Sequence, residues 1–167
     1  MKFDPTYDYG SSDLTVEENN VYWKFGELIT NLVTLSSPAE RQVEIIGIGA
    51  CTDEMAMDFE TYFTLSFQQY CKYELMDSES LDKLKQLDSF FEERSGDKSP
   101  AFWDNSLLDT NPEWEIVREE AKTILEMMGM QDLRIEFERT EEYETIGSIK
   151  RITMQSTKTR LIRKNGG

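Results

Sequence analysis

The sequence predicts an α+β fold: a single, mostly helical domain that ends in a small antiparallel sheet. Three observations predict it. Apolar residues recur at three- and four-residue spacing between recognisable caps from about residue 17 to Gly129. After Gly129 the period falls to two. At 167 residues, with 38% hydrophobic and 11% aromatic residues, the chain is long and apolar enough for one sizeable core. The expected organisation is an extended arm over 1–16, a helical part over 17–129 and a β part over 130–165.

Turn formers (Pro5, Gly10, Ser11, Ser12) mark the arm. A helix follows near Glu17 to Leu35, with Val21, Phe25, Leu28, Ile29, Leu32 and Leu35 on one face. Trp23 falls on the other side, beside Thr30 and Thr34, and is expected to pack against a second layer. "SSPAERQVEIIG" predicts a short helix with Ser37 as N-cap, Pro38 in the first position and Gly47 as the stop. "GIGA" reads as a turn, because a dinucleotide fingerprint would need a glycine where Thr52 stands. A helix from about Asp53 to Tyr73 is expected next, capped by Thr52.

"DSESLDKLKQLDSFFEERSG" carries Leu81, Leu84, Leu87 and Phe91 at helical spacing and ends at Gly96. The connection "DKSPAFWDNSLLDTNPE" is rich in turn formers, with Trp103 expected to pin it to the body. The clearest helix has Asn111 as N-cap, Pro112 in the first position, Glu113 and Glu115 in the first turn and Gly129 as the stop. Its buried stripe is Trp114, Val117, Ala121, Leu125 and Met128. Leu133, Ile135 and Phe137 then alternate with Arg134, Glu136 and Glu138 in a strand. "TEEYETIGS" reads as an acidic turn, and "IKRITMQSTKTRLIRK" as one long strand or two short ones.

The formal net charge is -15 and the sequence pI about 4.4. Such a field repels phosphate backbones and anionic lipid, and favours a basic partner. Residues 148–167 hold six Lys or Arg and no acid, leaving 12 basic against all 33 acidic residues in the first 147, a balance of -21. The basic end reads as a lysine-protected edge strand, or as an internal docking element or weak phosphate contact. The amino terminus has no signal-peptide pattern and no run of about 18 apolar residues occurs, so a cytosolic location is expected. Cys51 and Cys71 read as small buried side chains. The sequence contains 0 histidines, which removes Ser/His and Cys/His nucleophile pairs, HExxH zinc sites and ExxH di-iron sites.

"GACTDEMAMDFETYF" looks most like a site, because it places Asp53, Glu54, Asp58 and Glu60 within one helix. Helices bearing several carboxylates can hold magnesium for phosphate chemistry, as helical nucleotide pyrophosphatases do with ExxE and ExxD pairs. Here Glu54 and Asp58 share one side and Asp53 and Glu60 another, about 110° apart at 100° per residue. Met55, Phe59, Tyr62, Phe63 and Tyr70 occupy the opposite arc, so the carboxylates point away from the core. A solvated face or a protein-binding surface fits better than a metal cluster. The run "ERTEEYETIG", with Glu141, Glu142, Tyr143 and Glu144, is either a solvated hairpin tip or a loop that enters a basic groove.

"YWKFGELITNL", "DEMAMDFETYF" and "FWDNSLLDTNPEWEIVREEAKTILEMMG", in that order on a short acidic chain, resemble the small immunity proteins that protect bacteria from polymorphic or contact-dependent toxins. The resemblance spans about residues 20 to 130 and implies binding to a cognate toxin domain, often a basic nuclease, whose active site or substrate groove is blocked. No individual contact residue carries over from it. Charge and wheel position alone nominate Asp53, Glu54, Asp58, Glu60, Glu141, Glu142, Tyr143 and Glu144 as partner contacts. The expectation is a non-enzymatic binder of a basic protein, with no cofactor, no metal and no direct nucleic-acid or membrane contact. The alternatives are a DNA mimic that inhibits a DNA-binding protein and a magnesium-dependent pyrophosphatase-like enzyme.

Overall fold

Helix α1 (Val16–Ser36) occupies the middle of the computed structural model, which describes residues 3–9 and 13–164. Thr15 opens it: its Oγ1 accepts from the Glu18 N–H at 3.2 Å and donates to the Glu18 carboxylate at 3.0 Å. The predicted apolar face is buried in full, with Phe25, Leu28, Ile29, Leu32 and Leu35 sealed from solvent. Against it lies α6 (Pro112–Met127), capped by Asn111 and contributing Trp114, Val117, Ala121, Ile124 and Leu125. The fold is α+β, with the helices first and a two-stranded antiparallel sheet last.

Residues 3–9 form a turn folded onto α1, where the sequence suggested an extended arm. Tyr7 N–H donates to Asp4 O, and Phe3 stacks on Tyr9 and packs edge-on against Phe25 at 4.8 Å. Aromatic burial outweighs the extended preference of the segment. The predicted turn formers Gly10, Ser11 and Ser12 lie outside the described residues.

Ser37 does not cap the second helix. Its hydroxyl donates to Val33 O at 2.7 Å and its N–H to Thr34 O, so it closes α1 instead. Pro38 therefore takes the N-cap position of α2 (Ala39–Ile46), which Gly47 ends. Thr52 is likewise no cap: it sits inside α3 (Cys51–Phe59), its hydroxyl donating to Trp103 O at 3.0 Å and its N–H to Asn105 Oδ1 at 2.9 Å. Those bonds, together with Trp103 Nε1 to Arg94 O at 2.6 Å, tie the 96–111 connection to the body.

The helix expected to run to Tyr73 is interrupted. A π-helical turn follows at Glu60–Thr64, closed by Leu65 N–H to Glu60 O at 3.0 Å, and α4 (Phe67–Lys72) resumes after Ser66. A widened turn leaves carbonyls without helical partners. The Ser66 hydroxyl takes that of Thr61 at 3.0 Å, and the Tyr70 hydroxyl takes that of Tyr62. Phe59, Phe63 and Phe67 remain ring to ring across the irregularity. Of the cysteines, Cys51 is buried, but Cys71 is exposed because α4 turns Tyr70 inward instead.

Helix α5 (Ser78–Glu92), capped by Asp77, packs on α6, and Phe91, Phe102 and Trp114 form one aromatic block. Phe102 and Trp114 stack at 4.5 Å, and the Trp114 indole donates to Phe102 O at 2.6 Å. Buried Arg118 donates to Leu108 O at 2.5 Å, which fastens the loop before α6.

Strands β1 (Leu133–Ile146) and β2 (Ile149–Arg163) form one long hairpin, about 45 Å at 3.3 Å per residue. The acidic run is strand rather than turn; the connection is only Gly147-Ser148, with Gly147 at φ 64 as a two-residue hairpin loop requires. Inward positions are apolar only near the base, at Leu133, Ile135, Phe137 and Leu161, and the distal half leaves the body. Polar clamps hold the near half. Arg41 and Arg139 donate across to Ile135 O and Ile45 O at 2.7 and 2.8 Å while flanking the Phe137 ring. Gln155 donates to Ile46 O at 3.2 Å and accepts from Ile48 N–H at 2.9 Å.

Gly47 sits at φ 78, ψ -138, and a Cβ there would collide with the Gln155 side-chain amide. Gly47→Ala should therefore destabilise the fold by about 1–3 kcal/mol. Adding Gln155→Ala should recover only the steric part, since the backbone strain remains. Urea denaturation of the single and double variants measures both, and an unchanged midpoint in Gly47→Ala would contradict the strain argument.

Candidate functional site

A cleft separates the polar side of α1 from the inner face of β2. On α1, residues 23, 27, 30 and 34 fall on one stripe at helical spacing, and they place Trp23, Glu27, Thr30 and Thr34 opposite the buried face. From β2 the alternation brings in Thr157 and Thr159, and Asp58 of α3 and Tyr62 of the π turn close one end. This narrow end encloses about 150 Å³. Glu27, Thr30 and Thr159 also line a broader groove of about 1220 Å³ that runs out beneath residues 3–9 past Tyr7 and Trp23.

Trp23 is 55% exposed, so the expected second layer does not cover it; its ring meets Tyr62 edge-on at 5.9 Å. Thr30 and Thr34 donate their hydroxyl protons to Gly26 O and Thr30 O at 3.0 and 2.9 Å. Both residues line the cleft, and with those protons engaged their oxygens can only accept further bonds. Asn31, 5% exposed, donates through Nδ2 to Met55 O at 3.1 Å, while its Oδ1 has no hydrogen-bond partner. A buried carboxamide oxygen left unpaired costs about 1–3 kcal/mol.

Burial and then the charge of Glu54 push the Asp58 carboxyl up to about 6. Asp58 is exposed on one side and lines the cleft on the other. Burial and then Asp58 raise Glu27 as well, and burial with both carboxylates raises Tyr62. No salt bridge reaches Glu27 or Asp58 among the described residues, although Arg134, Arg160 and Arg163 line the broader groove and Arg139 donates to Thr157 Oγ1 and Ile45 O at the edge of the narrow end.

The structure parts the four helix carboxylates as the wheel divides them. Asp58 enters the cleft, and Glu54 stands beside it, folded over Gly49, where an added Cβ would lie 2.6 Å from Glu54 Oε1. Asp53 and Glu60 face a separate depression of about 300 Å³ shared with Asp88 and Glu92. Among the described residues no three His, Cys, Asp or Glu side chains converge as a metal site.

Glu141, Glu142, Tyr143 and Glu144 lie on distal β1, apart from the cleft, and β2 answers their charge. Arg151 pairs with Glu144 at 2.8 Å, Lys150 sits 4.1 Å over the Tyr143 ring, and the Tyr143 hydroxyl bonds Glu141. Residues 130–167 carry eight basic and six acidic side chains, so the acidic excess belongs to the helices.

Sequence reasoning missed Glu27, Asn31, Tyr62, Thr157 and Thr159. The available signal was Trp23 beside Thr30 and Thr34 on the helix face that the core does not use. No helix among the described residues is long and apolar enough to cross a membrane. Comparison with known proteins finds no matching family model, no matching curated protein and no matching solved structure.

Because the folded-state pKa of Asp58 lies above its ordinary 3.8, the folded protein holds the proton more tightly than the unfolded chain. Stability from this group is full below pH about 4 and is lost as pH rises through about 6. Asp58→Asn should flatten that decline and stabilise the protein at neutral pH by about 1 kcal/mol, a figure discounted for solvent screening. Thermal melts across pH 4–8 check it; an equal decline in the variant would place the titration elsewhere.

Proposed function

We propose that this chain is a non-catalytic protein that binds and neutralises a basic protein, a cognate bacterial toxin domain, in the cytosol. One observation carries the reading. The acidic excess is concentrated in the helical body, 24 acidic against 9 basic residues over 17–129, and a cleft with unpaired carboxylates and an exposed tryptophan opens on that body. An uncompensated field of this sign attracts a cationic domain and repels nucleic acid and anionic lipid. Complementary fields raise association rates by about 10 to 1000-fold.

The resemblance of residues 20–130 to immunity proteins names the class of partner. Inhibition on this reading is occlusion: the acidic body covers the basic groove through which the toxin holds its substrate. Unpaired carboxylates that lower the stability of the free protein make sense when a partner's cations complete them, as in sites kept for function at some expense of stability.

Co-expression with the toxin encoded beside its gene should restore growth, and the purified pair should associate faster as salt is lowered. Stopped-flow at ionic strengths of about 0.01 and 0.15 M, where the screening length falls from about 30 to 8 Å, should show the rate constant drop at least about tenfold. Absence of both rescue and binding would overturn the reading.

A further inference from the structure

The narrow end of the cleft gathers acceptors from α1 and α3, beside the hydroxyls of Tyr62, Thr157 and Thr159 and the apolar side chains of Ile45 and Ile46. Glu27 and Asp58 bring two carboxylates that make no salt bridge among the described residues, and Thr30 and Thr34 bring hydroxyl oxygens whose protons are already spent on the helix. Asn31, a residue only 5% exposed, adds a buried carboxamide oxygen that has no partner. Aromatic rings stand at the rim, Trp23 against Tyr62. Two carboxylates without a salt bridge and one unpaired carboxamide oxygen leave acceptors that an incoming donor can satisfy.

We propose that this end of the cleft receives one guanidinium group, an arginine side chain of the basic protein partner. The inference rests on the reading of the chain as a binder of a basic protein, and it names the group that the partner supplies. Guanidinium carries five N–H donors and no acceptor, which matches two carboxylates, two hydroxyl oxygens and a carboxamide oxygen. Its planar fork engages a carboxylate with two parallel bonds, and its face stacks on tryptophan or tyrosine. The enclosed 150 Å³ is the room of about five water molecules, enough for the head group and its last methylenes.

Other ligand classes fit less well. An anion would meet two carboxylates. A divalent metal lacks a third strong ligand, since no cluster of three metal-binding side chains forms among the described residues. A lysine ammonium is a compact, strongly hydrated charge with three donors, which leaves part of this lining unpaired.

The test titrates the full chain with N-acetyl-arginine amide, and with its uncharged isostere N-acetyl-citrulline amide, while NMR follows the Asn31 side-chain amide, the Trp23 indole and the Thr157 and Thr159 amides. Arginine should shift these signals saturably and citrulline should not. The double variant Glu27→Gln/Asp58→Asn, isosteric at both positions and checked for folding by its thermal melt, should bind arginine at least about tenfold more weakly. Equal responses to citrulline, shifts elsewhere only, or unchanged affinity in the double variant would overturn the assignment. The partner separates this inference from the reading beneath it. If a toxin binds wild type and double variant equally, the arginine assignment falls and the reading stands. If arginine saturates the cleft while no basic protein is bound, the reading falls and the assignment of the cleft stands.

Discussion

Burial of one stripe of α1 sets the arrangement of everything around it. Phe25, Leu28, Ile29, Leu32 and Leu35 lose all contact with water, and burying side chains of this kind contributes about 1.5–3 kcal/mol each. Such a stripe fixes the rotation of the helix about its own axis. Once the apolar side is committed to α6 and its aromatic neighbours, Trp23, Glu27, Thr30 and Thr34 are committed to the other side. The hairpin lies over that polar side without filling it. The cleft is therefore a by-product of core packing, with a chemistry that the spare face of the helix decides.

The hairpin obeys a different rule. A two-stranded ribbon is marginal by itself, and this one is held where Leu133, Ile135, Phe137 and Leu161 face inward and where Arg41, Arg139 and Gln155 reach backbone groups across the gap. Oppositely charged side chains also face one another across the strands, Glu136 and Arg160 near the base and Glu144 and Arg151 near the tip. Such exposed pairs add little stability. They do make the ribbon nearly neutral, so that the field of the molecule comes from its helices.

Much of this was legible in the sequence, for a physical reason. The buried face of α1, the Asn111-Pro112 start of α6 and the change of period after Gly129 are local signals, and each appears where it was expected. What failed depended on competition between partners. Ser37 had two helices to serve and took the end of the first; Thr52 found Trp103 and Asn105, distant in sequence, more useful than its own helix. The acidic run looked like a turn because its charges were counted without the basic strand that pairs with them. Asp58 was nominated for its charge, but Glu27 and Asn31 come from α1, and no spacing rule brings that helix against Asp58 and Tyr62.

The π turn at Glu60–Thr64 bears on the cleft as well as on the core. Tyr62 and Phe63 are adjacent aromatic residues of similar size, yet one lines the cleft and the other is sealed in the interior. Hydrophobicity hardly separates them. Phase does: one extra residue in the turn sets which of the two rings looks outward, and the hydroxyls of Ser66 and Tyr70 hold that phase by closing the carbonyls it leaves open. At this point the molecule distinguishes inside from outside by counting residues.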